Sequence, residues 1–220
     1  LRTPDERFSG LVDFPFAPNY LDIDDQDGGT LRMHSLDEGP ADGELVLCMY
    51  GQPNWSYSFR KMIGPLASAG FRVVVPDIVG FGRSDKPSKR SDYTFDRHVN
   101  WLKSFIEGLD LENINLIAQD WGGPIALRNV ADNPDRFARI LVTNTGLGDA
   151  KGIPLDKAPE LHRLLSETPV LPIEQVTKNA LGAVDGRPGF FYWIKHLCIT
   201  NFFFCRVHDC RICLQERGGG

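Results

Sequence analysis

Hydrophobic positions in this chain fall into short unbroken runs separated by longer amphipathic stretches. The runs over 44–50, 71–76, 114–118 and 140–143 are of strand length and rich in valine, leucine and isoleucine. A strand buried on both faces reads this way, whereas a strand with one wet face alternates. Two earlier segments, 19–23 and 30–36, read as strands joined by an acidic turn over 24–29. Between the runs, 56–68 reads as a helix stopped at Gly70. The stretch 93–109 sets Phe95, Val99, Leu102 and Ile106 on one helical face, with Thr94 as N-cap, and a further helix begins at Pro124. Strands alternating with helices predict an α/β fold with a mostly parallel, doubly wound sheet and right-handed crossovers.

The pattern changes near Gly146. Stretches 158–167 and 173–181 read as helices with no buried strand after them, which predicts a partial helical cap over 147–189. From 190 to 220 the text is atypical, with the aromatic runs Phe190-Phe191-Tyr192-Trp193 and Phe202-Phe203-Phe204 and three closing glycines. The chain thus divides into a core over 1–146, the cap over 147–189 and the tail over 190–220. With no further core strand, the sheet edge beyond 140–143 is expected to be apolar and unpaired, a source of aggregation.

Composition narrows the function classes. At 220 residues the chain suits one domain with a small insertion, and 42% hydrophobic and 24% charged residues suit a globular core. The net charge of −5, with no basic block, argues against nucleic acid. No apolar stretch approaches the roughly 18 residues of a membrane span. No secretion signal is read either, so the expected location is cytoplasmic, although Leu1 in place of Met leaves room for a preceding segment. Cys48 lies in an apolar run and is expected to be a reduced core residue, while Cys198, Cys205, Cys210 and Cys213 crowd into the tail.

The chemistry concentrates in Gln119-Asp120-Trp121-Gly122-Gly123, where a buried run enters a sharp turn flanked by small residues and then a helix. This is the nucleophile-elbow pattern with Asp in the place often held by Ser. Such a turn lifts a side chain above the carboxyl end of the sheet, and the following helix aims backbone N–H groups at developing negative charge. Alone, Asp120 reads more readily as an ordinary N-cap than as a nucleophile. Two further motifs each follow a buried run: Tyr50-Gly51-Gln52-Pro53, at the place of a His-Gly-x-Pro oxyanion loop, and the glycine-rich loop 77–85. The three in this order resemble the α/β-hydrolase fold.

The resemblance narrows with Gln52-Pro53-Asn54-Trp55-Ser56-Tyr57, Arg60-Lys61-Met62, the loop 80–87, Tyr93-Thr94-Phe95 and the N-terminal stretch 2–8. Together they resemble haloalkane dehalogenases, closely over residues 1–147 and weakly over 148–188. The resemblance implies that Asp120 attacks a halogenated carbon to give an ester and a halide ion, with no cofactor and no metal. It implies that Trp121 donates its indole N–H to the halide, and that the amides of Gln52 and Trp121 form the oxyanion hole. The expected partners are a small halogenated hydrocarbon and halide, and the expected state is a monomer.

Several positions depart from that family. Tyr50 replaces its His, Leu161 stands where a second halide-binding Trp is expected, and Asn144 stands where one branch has its triad acid. Neither a general-base histidine nor a triad acid is identified: His34 and His98 lie before the elbow, His162 lies in the cap, and His196 and His208 lie in the tail. The ester is therefore expected to persist and activity to be impaired, as in a product truncated at its C-terminus. Two other readings stay open: an epoxide hydrolase-like enzyme, against which stands the lack of tyrosine in 147–189, and a non-catalytic truncated product. Cys205, His208, Cys210 and Cys213 form only a weak zinc pattern. A tail of unrelated sequence from a frameshift or intron is the expectation there, ahead of zinc or of membrane docking by 190–204.

Overall fold

The computed structural model describes residues 1–145 and the backbone of 203–206. The chain divides into two compact units, Leu1–Gly146 with Phe203–Gly220, and Leu147–Phe202. All described residues belong to the first. The cap helices expected over 158–167 and 173–181, Leu161, the histidines His162, His196 and His208, and Cys198, Cys210 and Cys213 lie outside them.

The strands are β1 (Asn19–Asp24), β2 (Thr30–Glu38), β3 (Glu44–Met49), β4 (Phe71–Pro76), β5 (Ile114–Gln119), β6 (Phe137–Thr143) and β7 (Phe203–Arg206), in the sheet order β1-β2-β4-β3-β5-β6-β7. The block β4-β3-β5-β6 is parallel, and β1, β2 and β7 are antiparallel to their neighbours. The unbroken apolar runs are the parallel strands: β3 and β4 are buried on both faces between helices, while β5 and β6 alternate buried with half-buried positions. Leu47, Val73, Val74, Val75 and Ile114 are fully buried there. Cys48 is also buried, as the apolar run implies, and burial pushes its thiol up to about 12.

Helix α1 (Arg60–Ser68) joins β3 to β4, α2 (Phe95–Gly108) joins β4 to β5, and α3 (Gly122–Asp132) joins β5 to β6. The chain steps one way from β3 to β4 and the other way from β4 to β5. Right-handed crossovers then place α1 on one face and α2 with α3 on the other. Buried Asn129 of α3 donates to the Val99 carbonyl of α2 at 3.1 Å, tying those two helices together. The reversal leaves a crevice above the carboxyl ends of β3 and β5, where open α/β sheets bind ligands.

Three local expectations need correction. The run 56–68 is not one helix, for a 3-10 turn over Ser56–Phe59 precedes α1. Thr94 caps α2 as expected, accepting from the Arg97 amide at 3.2 Å, but Phe95 is 41% exposed. It sits in the first turn, and the buried face of α2 is His98, Val99, Trp101, Leu102, Phe105 and Ile106. The edge of β6, expected to be open, carries β7: Ile140 pairs with Cys205 and Val142 with Phe203. The aromatic text after 190 thus supplies a seventh strand, and Cys205 of the weak zinc pattern pairs through its backbone.

Candidate active site

Asp120 is the first residue past β5 and adopts φ of 50°, a left-handed conformation that costs a non-glycine residue about 1–2 kcal/mol. The turn it makes is held at both peptide units. The Asp120 amide donates to the Asn144 carbonyl at 3.0 Å. The Asp120 carbonyl accepts from the Gly123 amide at 2.9 Å and from the Thr145 hydroxyl at 2.6 Å. Trp121 follows as the N-cap of α3, so the helix starts directly under the carboxylate.

The carboxylate meets the loop that leaves β3. A Cβ at Gly51 would overlap Asp120 Oδ1, Asp120 Cβ and the Trp121 amide nitrogen, so only glycine allows the loop after β3 to lie against the elbow. Gln52 comes next, exposed, and its peptide bond to Pro53 is cis. Among the described residues no hydrogen bond reaches Asp120 Oδ1, although that oxygen is buried. A carboxylate oxygen has two lone pairs and no proton of its own to give, so this oxygen keeps unshared electron pairs where the Gly51 loop meets the elbow. Trp121 is 51% exposed, its indole turned away from the core.

Beneath the loop lies a second aspartate with the opposite surroundings. Asp77, the first residue past β4, has a fully buried side chain. Its Oδ1 accepts from the Tyr50 hydroxyl at 3.0 Å and the Ser56 amide at 2.8 Å. Its Oδ2 accepts from His34 Nδ1 and the Arg83 amide, both at 2.8 Å. A carboxylate only accepts, so the shared proton sits on His34 Nδ1. Burial pushes the Asp77 carboxyl up. The bond and charge of His34 and the amides of Arg83 and Ser56 outweigh it and hold the group below the usual carboxylate range. Burial and the Asp77 charge push the Tyr50 phenol well above its ordinary value, so it remains a donor.

Tyr50 stands where the resembled family has histidine, and its hydroxyl does structural work there. It donates to Asp77 and accepts from the Ile78 amide at 2.9 Å. The ring thus ties the root of the Gly51–Gln52 loop to the loop after β4. The N-terminal segment supports the same loops from outside. Arg2 pairs with Asp85, Phe8 and Phe14 pack edge-on against Trp55, and the Tyr57 hydroxyl donates to the Val12 carbonyl at 3.0 Å.

The histidines of the described residues are committed elsewhere. His34 is fully buried beside Asp77. His98 packs edge-on against Trp101, and burial pulls its imidazole down to about 4. The structure therefore brings together Asp120, Gly51 and the Trp121 amide, and it assigns His34 and His98 to the framework. Thr145 and Asp77 were not singled out by the sequence. A hydroxyl-bearing residue just after the strand next to the elbow is the signal that would have marked Thr145.

Comparison with known proteins identifies the fold and the family. Residues 44–168 match the family model described as alpha/beta hydrolase fold. A haloalkane dehalogenase of Psychrobacter cryohalolentis is 58% identical over 147 residues, covering 67% of this chain and 48% of that protein. The tetrameric structure of a haloalkane dehalogenase from Paraglaciecola agarilytica NO2 superimposes with a TM-score of 0.73 at 40% identity, covering 89% of this chain and 68% of that one. An epoxide hydrolase mutant of Vigna radiata gives 0.56 at 28% identity, covering 68% and 44%. The chain spans about half the length of the curated relatives it matches. Among the described residues no helix is long and apolar enough to cross a membrane. The chain belongs to the α/β-hydrolase family, as a haloalkane dehalogenase-like member.

Proposed function

We propose that this chain takes the first chemical step of a haloalkane dehalogenase. A carboxylate oxygen of Asp120 attacks a halogenated carbon; the C–O bond forms as the carbon–halogen bond breaks, and the halide leaves with the bonding pair. The products are an alkyl ester of Asp120 and a halide ion, and no proton moves. The observation that carries this reading is a carboxylate oxygen that is buried yet unpartnered, on a left-handed turn at a helix start and against the Gly51 loop. A carboxylate is ionised at neutral pH, so it needs no helper base.

Trp121 supplies the halide donor in this reading. Its indole is neutral, belongs to the residue next to the nucleophile and is half exposed. The amides of Gln52 and Trp121 supply the oxyanion hole for the ester. Small halogenated hydrocarbons are the proposed substrates, supported by the identity of 58% to one haloalkane dehalogenase and 40% to another. The epoxide hydrolase likeness stands at 28% identity, and no cap tyrosine in 147–189 favours it.

Hydrolysis of the ester needs a base to activate water. Among the described residues His34 and His98 are occupied in the framework and neither supplies that base, so the reading expects the ester to accumulate. Incubating the purified chain with a brominated alkane and counting bromide against protein tests this. About one bromide per chain, and none from Asp120→Asn, is the expected result. Continuous turnover would assign the base to His162, His196 or His208. No bromide at all would overturn the reading.

A further inference from the structure

We infer that Thr145 is a positioning residue for the nucleophile: its hydroxyl locks the Asp120 peptide in the left-handed turn that presents the carboxylate. The inference rests on the reading of Asp120 as nucleophile and goes beyond it, to a residue outside the three motifs.

Asp120 holds φ of 50°. A left-handed aspartate persists only where its surroundings over-determine it. Two bonds would be expected at such a turn, one into the strand neighbour and one into the new helix. Both are present, from the Asp120 amide to Asn144 and from the Gly123 amide to the Asp120 carbonyl. The Thr145 hydroxyl adds a third at 2.6 Å, to the carbonyl that already accepts from Gly123. It reaches across from the second residue past β6, 25 positions along the chain, so it ties the elbow to a different strand.

The helix is built around this hydroxyl. A Cβ at Gly123 would overlap Thr145 Oγ1 and its carbon atoms, so the second glycine of the Trp-Gly-Gly sequence clears the space that Thr145 fills. Asn144 prepares the approach. It also has φ of 50°, and its side-chain oxygen accepts from the Thr143 hydroxyl at 2.6 Å. Two consecutive residues after β6 thus grip the two peptide units of Asp120: Asn144 by its carbonyl, Thr145 by its hydroxyl. Removing the hydroxyl leaves the Asp120 carbonyl with one partner and lets the peptide rotate. The carboxylate then samples directions that miss the substrate carbon, which slows the attack without changing its chemistry.

The test compares the full chain with Thr145→Val, Thr145→Ala and Thr145→Ser. Two quantities are read: the rate of mass gain on Asp120 with a saturating bromoalkane, and amide hydrogen exchange at Asp120 and Gly123. Valine keeps the shape and alanine relieves any crowding, while serine restores only the hydroxyl. In Val and Ala variants, exchange at the two elbow amides should rise about tenfold (about 1.4 kcal/mol) and ester formation should slow by about as much. Serine should bring both back to within about twofold of the parent, and exchange within α2 should not move in any variant. Elbow exchange unchanged in Val and Ala, or a serine variant that behaves like valine, overturns the inference. If the parent chain forms no ester, the proposed function falls, and the exchange data still decide whether the Thr145 hydroxyl holds the turn.

Discussion

Asp77 and Asp120 each stand one residue past the end of a parallel strand, and the two strands flank β3 on either side. Asp77 is sealed from solvent and accepts four hydrogen bonds. Asp120 stands on a left-handed turn with its backbone held and one oxygen unpartnered. Position in the fold is therefore not what makes an aspartate reactive. Where every lone pair is occupied, the carboxylate is a fixed anion that organises loops. Where the backbone is gripped and one oxygen is left unpartnered, as at Asp120, the carboxylate is available for the attack proposed above.

The comparison breaks most visibly on the side of chemistry. Asp120→Asn should abolish ester formation altogether while leaving stability within about 1 kcal/mol, since asparagine tolerates left-handed φ almost as well. Urea unfolding alongside the halide assay checks both halves. Asp77→Ala should do the reverse, destabilising the chain by about 3–5 kcal/mol, because His34, Tyr50 and two amides lose their acceptor in a dry site. Equal stability effects for the two substitutions would erase the distinction.

Acid should separate the framework groups. His98 has its imidazole pulled down to about 4 by burial, so the fold favours the neutral ring. Its contribution is present above the ordinary value near 6.5 and is lost as pH falls toward about 4, roughly 3 kcal/mol in all. Asp77 is held below the ordinary aspartate value, so its contribution is present above about 4 and disappears only at lower pH. His98→Phe should flatten the stability profile between about pH 6.5 and 4 and leave the more acidic limb in place. A parent profile flat across that interval would show that His98 gains no penalty from burial.

A smaller effect is expected at Tyr50. Tyr50→Phe keeps the ring but removes the bridge between Asp77 and the Ile78 amide, for about 1–2 kcal/mol. Because Gly51 follows directly, the loop facing Asp120 should loosen as well, seen as faster amide exchange over 51–57. Tyr50→His, the residue of the resembled family, should recover the loop only in part, since an imidazole is shorter than a phenol.

The parallel block could be read from the chain because short apolar runs set off by amphipathic stretches mark strands packed against helices, and those four runs are β3, β4, β5 and β6, the first two buried on both faces. The turn at Asp120 could be read because a sharp bend between a buried strand and a helix has a sequence signature in its glycines. Other features have no such signature. Strand β7 pairs at the edge through its backbone, and its aromatic residues could serve many structures. Phe95 matched the helical period, yet the first turn of α2 lies beyond the core it would have entered. Tyr50 looked like a departure from the family and is a substitute support, visible only once its hydroxyl is placed against Asp77. Thr145 acts on a backbone carbonyl, so its role depends on conformation and leaves no pattern of residue types.

The most direct measurement is the mass of the tryptic peptide spanning 104–128, which carries Asp120, after the chain has been held with 1-bromobutane. The expected result is a butyl adduct on Asp120, matched by about one bromide released per chain and absent from Asp120→Asn. Bromide release with this peptide unmodified, or an adduct that survives Asp120→Asn, would contradict the assignment of Asp120 as the nucleophile.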